Sequence, residues 1–105
     1  MRLKSAYAKG YRNEKRSREF LEKLGYYVVE ARGSHGLWDL VAIHHGGTGG
    51  VEFQPDVVLV QVKSNRKPSG VEMSAMAGLR LPEFVTREVH IWHDRQPKPE
   101  VLEVK

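Results

Sequence analysis

Three polar residues stand where a buried framework would be expected, and together they could do metal-assisted phosphate chemistry. Asp39 lies among Leu37, Trp38, Leu40, Val41, Ala42 and Ile43; Gln61 and Lys63 close the β-branched run Val57–Val62. A carboxylate, an amide and an ammonium in apolar surroundings are costly to desolvate unless a partner uses them. The side-chain period of a strand is two, so Gln61 and Lys63 project from one face. The start of one antiparallel strand sits beside the end of its neighbour, so Asp39, Gln61 and Lys63 can converge at one sheet edge. A hard cation such as Mg²⁺ takes oxygen ligands, which the Asp39 carboxylate, the Gln61 amide oxygen and the Val62 carbonyl supply. Lys63 would then stabilise charge on a scissile phosphate or orient attacking water. Plainer readings stand beside this one: a strand emerging into solvent at Gln61, and an Asp39 that caps a turn after a glycine loop.

The elements that must position these residues follow from the patterning. Ala6 to Leu24 reads as a helix closed by Gly25, with Ser17, Phe20, Leu21 and Leu24 as its buried stripe. Tyr26–Ala31 and Trp38–His44 read as strands, separated by the break Gly33–Gly36. The glycine-rich turn 46–50 leads back through Val51–Phe53 to the central strand. This order predicts an antiparallel meander packed on the first helix. A second helix is expected over Val71–Leu81, ended by Pro82, with its methionines in packing roles. Glu88–His93 and Val101–Val104 are expected as closing strands. Adjacent strand residues diverge, so His44–His45 and His90/His93 make poor metal pairs; they are expected on the surface or in loops. Trp92 is expected in a core or an interface rather than stacked on a base. The fold class is α/β, a central mixed sheet flanked by helices.

Composition bounds the rest. The chain has 105 residues and no cysteine, which fits one domain (residues 1–105) without disulfides or thiolate metal sites. A chain of this size hides roughly 65% of its unfolded surface, enough for one modest core. No apolar run reaches the ~20 residues of a membrane helix, so a soluble, cytoplasmic, nucleoid-associated protein is expected, with no membrane partner. Net charge is +4, which favours a polyanionic partner. Residues 1–18 carry Arg2, Lys4, Lys9, Arg12, Lys15, Arg16 and Arg18 against Glu14 alone. That concentration suggests a phosphate-contacting segment, with residues 1–8 as a flexible basic arm, although a solvated helix face has the same pattern. An i,i+4 pair with Arg18 would account for Glu14. Arg66 and Lys67 follow the central strand and are placed to hold a backbone beside the proposed centre.

In order and spacing, Glu14, Gly33-Ser34, Asp39 and Gln61-Val62-Lys63 resemble the PD-(D/E)XK nuclease superfamily. Within it the chain is most similar to archaeal-type Holliday junction resolvases, over roughly residues 9–64. Lys9-Gly10 with Glu14, then LEKLGYYVV, resembles the family's opening helix and first strand; Gly33-Ser34 followed by WDLVA resembles its serine loop and metal-binding aspartate. The resemblance implies a restriction-endonuclease-like fold and symmetric paired cleavage of four-way DNA junctions by a homodimer. It implies Mg²⁺, with Mn²⁺ as a substitute, and no small-molecule cofactor. It makes Asp39 a principal metal ligand, Glu14 the helix carboxylate of the centre, Lys63 the catalytic lysine and Ser34 a DNA contact near the cut. Gln61 departs from the pattern, which has a carboxylate there; with Val62 as a backbone ligand it would leave the metal site one negative charge short. A branched-DNA-binding protein without catalysis therefore stays open, as does a nuclease acting on flaps. Asp56, in the dipeptide Pro55-Asp56, is five residues from Gln61 and so points to the other face.

Overall fold

The computed structural model describes residues 2–31, 36–44 and 57–105, with side chains from Lys9 onward. The Ser34 contact, the glycine turn 46–50, Val51–Phe53 and Asp56 lie outside the described residues. The order is α1 (Arg2–Lys23), β1 (Tyr26–Glu30), β2 (Leu40–His44), β3 (Val57–Ser64), α2 (Gly70–Gly78), β4 (Val85–Trp92) and β5 (Glu100–Glu103).

The helix α1 begins at Arg2 rather than Ala6. Residues 2–8, expected as a flexible arm, form its first turns; Leu, Lys, Arg and Ala are all strong helix formers. Gly25, at φ 97°, lets the chain leave the helix in the left-handed conformation. The stripe holds at Ser17 and Leu21, but Leu24 is exposed and Asn13 takes the next buried position one turn earlier.

The five strands form one mixed sheet in the order β1-β2-β3-β4-β5. Strands β1, β2 and β3 make the expected antiparallel meander. The α2 crossover then sets β4 parallel to β3, and β5 closes antiparallel. Two cores result. Leu21 of α1 packs on Tyr26, Leu40, Ala42, Val58 and Val60. Met76 of α2 packs with Val89, Ile91 and Val104, flanked by Trp38 and Met73. In β3 the even-numbered residues thus face α1, and the odd-numbered ones face α2.

Two further expectations need correction. His90 is fully buried, not a surface histidine: its Nδ1 lies 3.0 Å from the Ser17 hydroxyl and its Nε2 3.1 Å from a Glu88 carboxylate oxygen. β4 is covered by α1 on one side and α2 on the other, so polar and apolar residues alike are enclosed. The second helix ends at Gly78, three residues short of Leu81, because Leu79 turns to an extended conformation and Arg87 donates to its carbonyl. Among the described residues no helix is long and apolar enough to cross a membrane.

Candidate active site

Continuing the β2–β3 register one step beyond Leu40↔Val60 sets Asp39 across from Gln61. The ladder is extended there by backbone contacts, the Asp39 N–H to the Val60 carbonyl at 2.8 Å and the Ala31 N–H to the Asp39 carbonyl at 2.9 Å. The Asp39 side chain is fixed too: the Val62 N–H donates to its Oδ2 at 2.7 Å. Gln61 is buried on the α2 side of the sheet, in register with Val89, and its Oε1 has no hydrogen-bond partner. A buried acceptor left unmade costs about 1–3 kcal/mol. Buried polar atoms of this kind are ordinarily paired, so the Gln61 oxygen stands out as an acceptor that a donor, a water or a cation would satisfy.

Lys63, in register with Ile91, points to the same face. Its ammonium lies 2.8 Å from Oε2 of Glu72 and its side chain is only 14% exposed. Glu72 was not among the sequence candidates. Its other oxygen accepts from the Ser69 N–H at 2.9 Å, while the Glu72 N–H donates to the Ser69 hydroxyl at 3.1 Å. This reciprocal cap starts α2, and its signature, a serine followed three residues later by glutamate, was present in the sequence. What the sequence did not carry is that the capping carboxylate would meet the strand's terminal lysine.

Electrostatics separate the two carboxylates. Burial pushes the Asp39 carboxyl above its ordinary value of 3.8, against the opposing pull of the Val62 N–H and the Lys63 charge, while the Glu72 charge adds to the rise. Glu72 is held down to about 2, first by the Lys63 hydrogen bond and next by the Ser69 N–H. One group is strained in its charged form and the other is locked in it.

The remaining candidates divide. Glu14 is half-buried on α1. Arg18 is engaged with Glu30 at 2.6 Å and Glu22 at 4.0 Å. Lys9 pairs with Asp94 at 2.7 Å. Arg16 lies 4.1 Å over the Trp92 ring and donates to the Gln96 carbonyl, so it packs as much as it presents charge. Arg12, Lys15, Arg66 and Lys67 are exposed. Arg12, Lys9, Arg16 and Arg95 line a polar cleft of about 270 Å³ where α1 meets the β4–β5 loop. Asn13 ties this cleft to the end of β3 through a 2.7 Å bond to Ser64. Trp92 is buried, as expected, and donates to Ser17 at 2.7 Å.

Among the described residues no group of three or more His, Asp or Glu gathers as a ready metal cage. The oxygens on this sheet face, from the Asp39 and Glu72 carboxylates and the Gln61 amide, are hard donors of the kind that suits Mg²⁺ more than Zn²⁺. Comparison with known proteins finds no matching family model, curated protein or solved structure.

Proposed function

We propose that this chain is a metal-dependent, structure-specific endonuclease of the restriction-endonuclease-like fold that cuts four-way DNA junctions by symmetric paired incisions. One observation carries the reading: Asp39 and Lys63 share a sheet face with Gln61, whose buried amide oxygen has no partner. Asp39, Gln61 and the Val62 carbonyl would hold Mg²⁺ or Mn²⁺, with Glu14 as the ligand that the resemblance adds. The ion, when bound, would supply charge neutralisation at the phosphate and acidify its bound water. Lys63 then stabilises the charge that builds on the phosphoryl oxygens. The Val62 N–H keeps the Asp39 carboxylate aimed, so little reorganisation is needed.

The junction substrate and the dimer are what the resemblance implies, and the charge distribution supports a phosphate-backbone partner. The basic residues of α1 and the cleft beside Ser64 give a phosphate-binding surface continuous with the strand end, and contacts of that kind position a duplex without reading bases. A junction has two equivalent strands to cut, which a twofold dimer matches. Tyr27, Val29 and Ile43, exposed on the sheet face away from α1, offer a second copy an apolar surface.

The test is Mg²⁺-dependent nicking of a synthetic junction with labelled arms, in competition with flap and linear duplex. Paired cuts confined to the junction support the proposal. Gln61, neutral where the family pattern is acidic, favours one second reading: a protein that binds branched DNA without cutting it. Tight junction binding with no cleavage at any Mg²⁺ or Mn²⁺ concentration would establish that reading instead.

Two further outcomes are expected. Gln61→Glu adds a buried negative charge beside Asp39, so it should lower the thermal midpoint without divalent ions and recover it with Mg²⁺. Calorimetric scans with EDTA and with Mg²⁺ check this; a midpoint indifferent to Mg²⁺ would remove Gln61 from the ion's surroundings. Replacing Arg12 and Lys15 by glutamine should weaken junction binding and reduce the salt slope by about 2, one unit for each phosphate no longer neutralised. An unchanged slope in salt titrations would reassign that face to plain solvation.

A further inference from the structure

We infer that Glu72 supplies the second carboxylate of the cation site, doing from the first turn of α2 what a carboxylate at position 61 would do from the strand. The inference rests on the metal-site reading above and extends it to a residue outside the family's pattern. Three observations meet here. Gln61 puts a buried oxygen without a partner on the same face as Asp39. Glu72 reaches that face from α2, where it meets the Lys63 ammonium that projects beside Gln61. The Glu72 oxygen not used in the helix cap is taken by the Lys63 ammonium at 2.8 Å.

An ammonium on a carboxylate oxygen occupies a position that a hard cation would also favour. Asp39, Glu72 and the neutral Gln61 amide give a charge of −2 on this one face, suited to a divalent ion, whereas Asp39 and Gln61 give −1 there, and Glu14 enters only through the resemblance. The capping box lets Glu72 serve without loosening α2. Its Oε1 stays on the Ser69 N–H while Oε2 exchanges Lys63 for a cation. The same exchange frees the Lys63 ammonium, the group assigned to the phosphate. Ion entry and lysine release are thus one event at one oxygen atom.

The experiment is calorimetric titration of the full chain with Mg²⁺ and with Mn²⁺ alone, no DNA present. Glu72→Gln keeps the acceptor for Ser69 and removes only the charge. It is expected to weaken ion binding by about 10- to 100-fold. The decisive arm repeats Glu72→Gln in a Lys63→Met background. If Glu72 contacts the ion, the loss persists there; if Glu72 acts only by holding Lys63, the loss disappears and the inference is overturned. Ser69→Ala, which weakens the cap and leaves the carboxylate, should bind the ion as the parent does; a loss as large as that of Glu72→Gln would also overturn it, by making helix placement the cause. Asp39→Asn separates this inference from its premise. If the parent chain binds neither ion, or binds them regardless of Asp39, the metal-site reading itself falls. If Asp39→Asn abolishes binding and Glu72→Gln leaves it intact, only the role of Glu72 falls.

Discussion

Asp39→Asn is expected to abolish cleavage while making the protein more stable. The two effects have one cause. Burial raises the Asp39 carboxyl, so the folded chain holds that proton more tightly than the unfolded chain does. Between the ordinary value of 3.8 and the raised one, the native state binds more protons, and stability therefore falls as pH rises through that window. Above it the deficit is constant. Asparagine keeps an acceptor for the Val62 N–H and carries no charge to desolvate. In EDTA the variant should melt higher at neutral pH, and the advantage should vanish as the pH falls below about 3.8. Cleavage of a junction should drop by at least about 10²–10³-fold, since a group that organises charge at the reacting centre is lost. Junction binding should remain. Lys63→Ala should match that loss of cleavage without the gain in stability, because it strands the Glu72 carboxylate. Melting curves across pH, read beside nicking rates, check both variants. A cleaving Asp39→Asn would end the site assignment, and an unchanged midpoint would show that the carboxylate is not strained.

How far the sequence revealed these features depended on how local their causes are. The period of β3 alone put Gln61 and Lys63 on one face, and β2 and β3 are antiparallel as expected, so Asp39 falls across from Gln61. The turn at Gly25 and the first helix are likewise set by neighbouring residues. Glu72 was hidden although its capping signature was visible, because its meeting with Lys63 depends on how α2 crosses the sheet between β3 and β4. The polar cluster around His90 was hidden for a similar reason. A strand covered by helices on both faces shows no alternation, and the partner that satisfies His90 lies 73 residues earlier on α1. Ser17 was legible as part of a buried stripe, but nothing near it in sequence explains why that stripe holds a hydroxyl.

That hydroxyl carries the largest stability effect expected away from the site. Ser17 is fully buried and its Oγ accepts from the Trp92 indole N–H at 2.7 Å while lying 3.0 Å from His90 Nδ1. Trp92 and His90 are themselves buried, and Phe20 stands edge-on to the His90 ring at 5.6 Å, so water has little access to replace the lost partner. Ser17→Ala removes one small atom and strands two buried nitrogens. Each unsatisfied group costs about 1–3 kcal/mol, so the variant should lose about 2–6 kcal/mol in urea denaturation. For a domain of this size the thermal midpoint should then fall by at least about 8 °C. The signature of the mechanism is non-additivity: in a Trp92→Phe background, where the indole donor is already gone, Ser17→Ala should cost measurably less than in the parent. Equal losses in both backgrounds would mean that Ser17 matters for packing alone. A loss below about 0.5 kcal/mol, the range of ordinary surface substitutions, would mean that the cluster does not hold α1 to the sheet at all.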